Sequence, residues 1–167
     1  GVSVAVRHGD EPAPLPDIPI SGWAPYWVLP DATAAVAAHG AAVHAVSPFG
    51  YSATGATAVA FDGDAEQLLT LVEGIRAQGA LVIPAITDGM PAGAMAALLA
   101  DPASRAQHVQ TIVALVQQQG FDGIDTDYEK FAFSDGRDTW ATTRPNWTAF
   151  PTELSTALRD RAKQLIV

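Results

Sequence analysis

Residues 121–129 read Phe-Asp-Gly-Ile-Asp-Thr-Asp-Tyr-Glu, FDGIDTDYE. Asp122, Asp125, Asp127 and Glu129 place four carboxylic acids within eight residues of an otherwise apolar run. The run reads as a strand, and charge in a strand core is costly unless it is paired or used. In a strand, alternate residues share a face. Asp125, Asp127 and Glu129 then point to one side, and Ile124, Thr126 and Tyr128 to the other. Asp122, beside Gly123, stands where the strand begins. Three acids in a row repel one another, and sharing a proton relieves this by raising at least one pKa. A carboxylic acid kept protonated near neutral pH is what a general acid must be. The reading therefore puts a proton donor, Glu129, at the strand tip.

Upstream of this strand the chain alternates. GWAPYWVLP (22–30) reads as a strand, and DATAAVAAHG (31–40) as a helix capped by Asp31 and stopped by Gly40. AAVHAVSPFGY (41–51) reads as a second strand. The helix in 61–79 carries Leu68, Leu69, Val72 and Ile75 on one face. ALVIPAITDG (80–89) is a third strand, apolar throughout as when both faces are covered. Residues from about 92 to 119 read as one helix with Ile112, Val113, Leu115 and Val116 inward, ended by Gly120. After the acidic strand, 130–146 reads as a long loop leading to a fourth helix that ends near Lys163, with a kink or restart near Pro151. Leu165-Ile166-Val167 opens a fifth strand.

Strand–helix alternation calls for parallel strands with helical crossovers. The fold class is α/β, either a doubly wound open sheet or a (β/α)8 TIM barrel. No glycine-rich phosphate loop follows the first strand, which weakens the nucleotide-binding form of the open sheet. A barrel needs about 250 residues, so 167 residues hold about four β/α units and the start of strand five. Such a half-barrel leaves open sheet edges. The reading favours a fragment of a longer protein over pairing of two copies, and an isolated chain of poor solubility and little activity.

Composition narrows the function. Hydrophobic residues make up 49% and charged residues 16%, enough for a buried core. The formal net charge of -9 disfavours nucleic acid and anionic membranes as partners. No apolar run reaches transmembrane length. The absence of cysteine excludes disulfides and thiolate metal sites. Residues 1–20, with four prolines in GDEPAPLPDIP, read as an extended leader, and the domain as 21–167. A start at Gly1 rather than Met points to a removed upstream segment.

Asp122-Gly123-Ile124-Asp125-Thr126-Asp127-Tyr128-Glu129 resembles the DxxDxDxE strand of family 18 glycoside hydrolases, the chitinases and their relatives. In that family it is the fourth barrel strand, the place it takes in the alternation here. The resemblance extends over about 22–167. ALLADPASRAQHVQTIVALVQQQGFDGIDTDYE (97–129) and IPAITDG (83–89) are similar to members that act on bacterial cell-wall glycans. Ala85-Ile86-Thr87-Asp88 departs from the SxGG of chitinases proper.

The resemblance implies that Glu129 protonates the glycosidic oxygen. It implies that Asp127 orients the substrate's acetamido group, which serves as the nucleophile, and that Asp125 shares a proton with Asp127. Asp122 and Gly123 take a structural part. No cofactor and no metal are implied. The substrate is a β-1,4 glycan containing N-acetylglucosamine, peptidoglycan fragments or chitin, which places the protein outside the cell or in the wall.

Trp23, Tyr26, Trp27, Phe49 and Trp140 are candidate platforms for sugar rings, against ordinary core and rim packing for each. Tyr128 is added as a substrate contact. Asp88 either contacts substrate or caps the segment after it. The four histidines show no metal spacing and read as surface or satisfied core residues. Two other functions compete: a glycan-binding module without catalysis, and a metal-dependent glycosyltransferase whose DxD acids hold a cation.

Overall fold

The computed structural model describes residues 19–167, apart from the side chains at 131 and 132. The leader read over 1–20 lies almost wholly outside them. The elements in chain order are β1 (Ser21–Pro25), α1 (Leu29–His39), β2 (Ala45–Gly55), β3 (Ala58–Phe61), α2 (Ala65–Ala77), β4 (Leu81–Val82), β5 (Ala85–Asp88), α3 (Ala94–Ala100), α4 (Pro102–Gln119), β6 (Gly123–Asp127), α5 (Lys130–Ser134), α6 (Trp140–Arg159) and β7 (Gln164–Ile166).

The parallel strands run β1-β2-β5-β6-β7. Each new strand joins the same side of the sheet. A doubly wound sheet reverses direction at a switch point, so this is the barrel's winding, an α/β sheet of five successive parallel positions. The third position is split by Pro84 into β4 and β5, both paired with β2.

Helices cover one face only. Ala24, Val46, Val82, Ile86 and Ile124 of the strands meet Leu71, Ile75, Ile112, Val116, Leu154 and Leu158 of the helices in one buried cluster. Each fully buried Leu or Ile contributes about 1.5–3 kcal/mol, so this layer is the main source of stability.

Several elements differ from the sequence reading. Residues 58–61 form an antiparallel strand on the edge of β2 beyond the end of β1; the apolar stretch after Tyr51 extends β2 and turns back on itself. The first strand stops at Pro25, and 26–28 make a 3-10 turn into α1. That helix starts at Leu29, so Asp31 lies inside its first turn, where its charge faces the positive helix end. In α2 the inward stripe is Leu68, Leu71, Val72 and Ile75, whereas Leu69 is 57% exposed. The single helix expected over 92–119 is broken at Asp101, whose carboxylate accepts from the amide and hydroxyl of Ser104 and caps α4. Gly120 ends α4 with φ 65°. The expected loop over 130–146 is mostly helical, and α6 runs unbroken through Pro145 and Pro151. The fifth strand spans Gln164–Ile166 and pairs parallel with β6.

Candidate active site

The acids sit on the face of β6 that carries no helices. Ile124 and Tyr128 turn into the helical layer and are buried there. Asp125, of opposite parity, reaches Trp23 of β1: the indole Nε1–H donates to Oδ2 at 3.0 Å. Asp125 is 6% exposed. Together with Ser21, Gly22, Trp23, Ser47 and Ile166 it lines a cavity of about 350 Å³.

Glu129 reaches the groove differently from the sequence expectation. The strand ends at Asp127, and Glu129 has helical backbone angles (φ -89°, ψ -32°) at the N-cap of α5. A turn, not strand alternation, places it. It still lines a groove of about 270 Å³ with Thr87, Asp88, Asp127, Lys130 and Phe133. In this groove the Asp127 carboxyl is pushed up. Burial raises it first, then the charge of Glu129, then that of Asp125.

Asp88 is 7% exposed and accepts from the Met90 amide at 2.9 Å. It therefore caps the turn after β5, as one of the two sequence readings has it, and also lines the groove. Burial pushes its carboxyl up. Beside it, Thr87 approaches Ser52 Oγ at 3.3 Å, and that hydroxyl donates to Asp62 at 2.6 Å. This polar chain leading toward the acids carries no sequence motif and was not anticipated.

The aromatic candidates fall into two groups. Trp23 packs tilted on Phe49 at 6.3 Å, Phe49 meets Trp27 edge-on, and Trp27 meets Tyr26 edge-on at 5.0 Å. These four rings make one continuous rim beside Asp125, with Trp23 and Trp27 largely exposed. Trp140 lies on the other side of Glu129, lining a cavity of about 670 Å³ with Phe133, Arg144 and Trp147. The Arg137 guanidinium sits 5.5 Å from its ring centre.

Tyr128 is 4% exposed, its hydroxyl pairs with His108 Nε2 at 2.7 Å, and its ring stacks on Phe150. It follows the end of β6 and packs into the helical layer, while also lining the cavity of Glu129 and Trp140. His108, fully buried, is one of the core histidines expected from the sequence. Asp122 binds β4 to β6, accepting from the Val82 amide at 2.9 Å. At Gly123 a side-chain carbon would press on the Gln164 carbonyl, so only glycine permits the close approach of β7. Among the described residues, no three His, Cys, Asp or Glu side chains group to hold a metal ion, and no helix is long and apolar enough to cross a membrane.

No protein-family model matches the sequence, and no curated protein matches it. Solved structures do. A class V chitinase from Pseudomonas fluorescens superposes with TM-score 0.74 at 24% identity, over 89% of this chain and 44% of that one. A family-18 chitinase from Flavobacterium johnsoniae gives 0.67 at 20% identity, over 88% and 44%. The spore cortex-lytic enzyme of Bacillus megaterium gives 0.70 at 12% identity, over 88% and 33%. The chain spans less than half the length of these proteins. With five parallel positions wound in one direction and helices on the outer face, it has the fold of a partial chitinase-like (β/α) barrel.

Proposed function

We propose that the protein carrying this chain is a glycoside hydrolase that cleaves β-1,4 bonds in glycans containing N-acetylglucosamine, chitin or peptidoglycan fragments, with retention of configuration. Glu129 gives its proton to the glycosidic oxygen as the C1–O bond breaks. The carbonyl oxygen of the substrate's acetamido group forms the new bond to C1, giving an oxazolinium ring. Asp127 accepts the acetamide N–H and steadies the positive charge that spreads onto it. Water then attacks C1, gives its proton to the Glu129 carboxylate and restores the acetamide. Trp23, Trp27, Phe49 and Trp140 offer flat faces to the sugar rings. Since these glycans are wall or extracellular polymers, the protein acts outside the cell membrane.

The observation that supports this most is the grouping of Asp127 and Glu129 in one groove on the face that helices leave open, where burial and then the charges of Glu129 and Asp125 push the Asp127 carboxyl up. Proton NMR of the full-length protein with chitotetraose and with peptidoglycan glycan strands is the test. Cleavage with the β-anomer appearing first, abolished by Glu129→Gln with binding retained, is expected. Equal turnover by Glu129→Gln, or a first-formed α-anomer, overturns the reading.

A further inference from the structure

Glu129 and Phe133 line two cavities at once. One is the groove of Asp127, Asp88 and Lys130, and the other is the larger cavity of Trp140, Arg144 and Trp147. Glu129 therefore stands on the boundary between them. A proton donor in that place serves an oxygen that bridges two groups, one on each side. Under the proposed hydrolase reading, the sugar whose acetamide meets Asp127 takes the groove. The leaving-group sugar then takes the cavity of about 670 Å³, a volume ordinary for a small-molecule site.

The first turns of α6 supply the wall of that cavity. Trp140, Arg144 and Trp147 follow one another at spacings of four and three, so they share one face of the helix. Phe133 and Trp140 are 76% and 42% exposed, and flat aromatic surface around a hollow suits the apolar face of a sugar ring. Arg144 is exposed and, among the described residues, makes no ion pair and no side-chain hydrogen bond. The neighbouring cations are placed otherwise: Arg137 lies over the Trp140 ring, and Lys130 stands beside Asp88 in the groove. The chain holds 9 Lys and Arg against 18 Asp and Glu, so a guanidinium in this wall is not the by-product of a basic surface.

A guanidinium offers a planar fork of donors, which a carboxylate meets with two parallel charged hydrogen bonds. A neutral sugar brings no anion to it. We propose that the cavity beside Glu129 takes a leaving-group sugar that carries a carboxylate, and that Arg144 is the specificity-determining residue that binds this group. The substrate class is then a β-1,4 glycan in which N-acetylglucosamine alternates with an acidic sugar such as stem-free N-acetylmuramic acid, in preference to uncharged chitin. The bond cleaved is the one whose leaving oxygen belongs to the acidic sugar. The inference rests on the proposed hydrolase reading, which says which sugar lies on which side of Glu129.

The test gives the full-length protein a stem-free tetrasaccharide of alternating N-acetylglucosamine and N-acetylmuramic acid, the same tetrasaccharide with its lactyl carboxyls converted to amides, and chitotetraose. Wild type is expected to cleave the acid with a kcat/KM about tenfold above that of the amide. Arg144→Gln is expected to slow the acid about tenfold and to leave the amide and chitotetraose within about twofold, with Arg144→Lys, which keeps the charge and loses the fork, in between. Arg144 is exposed and unbonded, so both variants fold; a thermal melt checks this. Equal cleavage of acid and amide by wild type overturns the inference, as does an Arg144→Gln protein that slows all three substrates alike or none. Dissociation constants in a Glu129→Gln background keep the two readings apart. If wild type hydrolyses nothing, the hydrolase reading fails; tighter binding of the acid than of the amide, lost in Arg144→Gln, still supports this inference, and equal binding overturns it. If chitotetraose is cleaved and the acid is not preferred to its amide, this inference alone fails.

Discussion

His108 Nε2 and the Tyr128 hydroxyl lie 2.7 Å apart in the layer between β6 and the helices, and both rings stack on Phe150. Burial pushes the imidazole down from its ordinary range, so it is neutral at pH 7. Tyr128→Phe therefore leaves Nε2, a buried imidazole nitrogen, unpaired. An orphaned buried polar group costs about 1–3 kcal/mol. A urea titration is expected to show a lower midpoint by that amount with an unchanged slope.

Asp127 costs stability at neutral pH. The native Asp127 carboxyl is raised above its unfolded value. Between those two values the native state binds more protons than the unfolded one, so the contribution of Asp127 falls as pH rises through that window. Asp127→Asn removes the penalty. Its melting temperature is expected to exceed wild type at pH 7 and to match it at pH 3, while turnover is lost. A variant less stable than wild type at pH 7 would contradict this sign.

Arg105 ties α4 to α6. Its guanidinium, 11% exposed, meets Glu153 at 3.0 Å and donates to the Leu99 carbonyl at 2.6 Å. Glu153→Ala strands a largely buried cation. Because Glu153 is itself 39% exposed, the expected cost lies near the 1.5–3 kcal/mol of a charged hydrogen bond rather than at that of a fully buried pair. The double change Arg105→Met with Glu153→Leu is expected to recover most of it, read from denaturant midpoints.

Gly123 is expected to tolerate no side chain. The added carbon of Gly123→Ala would stand about 2.9 Å from the backbone carbonyl carbon of Gln164, and backbone paired in a sheet cannot step aside. Overpacking of this kind costs about 1–3 kcal/mol. Hydrogen exchange should show faster exchange of the Leu165 and Ile166 amides in this variant, with the β1–β2 amides unchanged.

Much of this was legible in the chain because strand–helix alternation and the DxxDxDxE spacing are local patterns. Gly40 and Gly120 mark helix ends, whereas Pro84 splits the stretch 80–89, which reads as one strand, into β4 and β5. What failed depended on partners distant in sequence. Leu69 has the same helical spacing as Leu68, and only the packing of α2 on the sheet decides that Leu71 goes inside. Glu129 was read as the strand's last inward residue, but β6 stops two residues earlier and a helical turn takes over. Tyr128 is held by His108 and Phe150, partners 20 or more positions away that the local pattern does not announce. The Trp23–Asp125 bond joins residues 102 positions apart, and no short-range pattern announces such a link. The stretch 130–146 departs from its loop reading because Thr, Arg and Pro there give weak helix signals that packing against α3 overrides.

Strand β6 is written in two registers. Substitutions at 124, 126 and 128 act on the helical layer and the bonds made there, and those at 125 and 127 on the open groove. A lineage can therefore change the groove while the scaffold persists, or retune the scaffold while the groove persists. Libraries that randomise the two sets separately should yield inactive folded proteins from the odd positions and unfolded ones from the even positions.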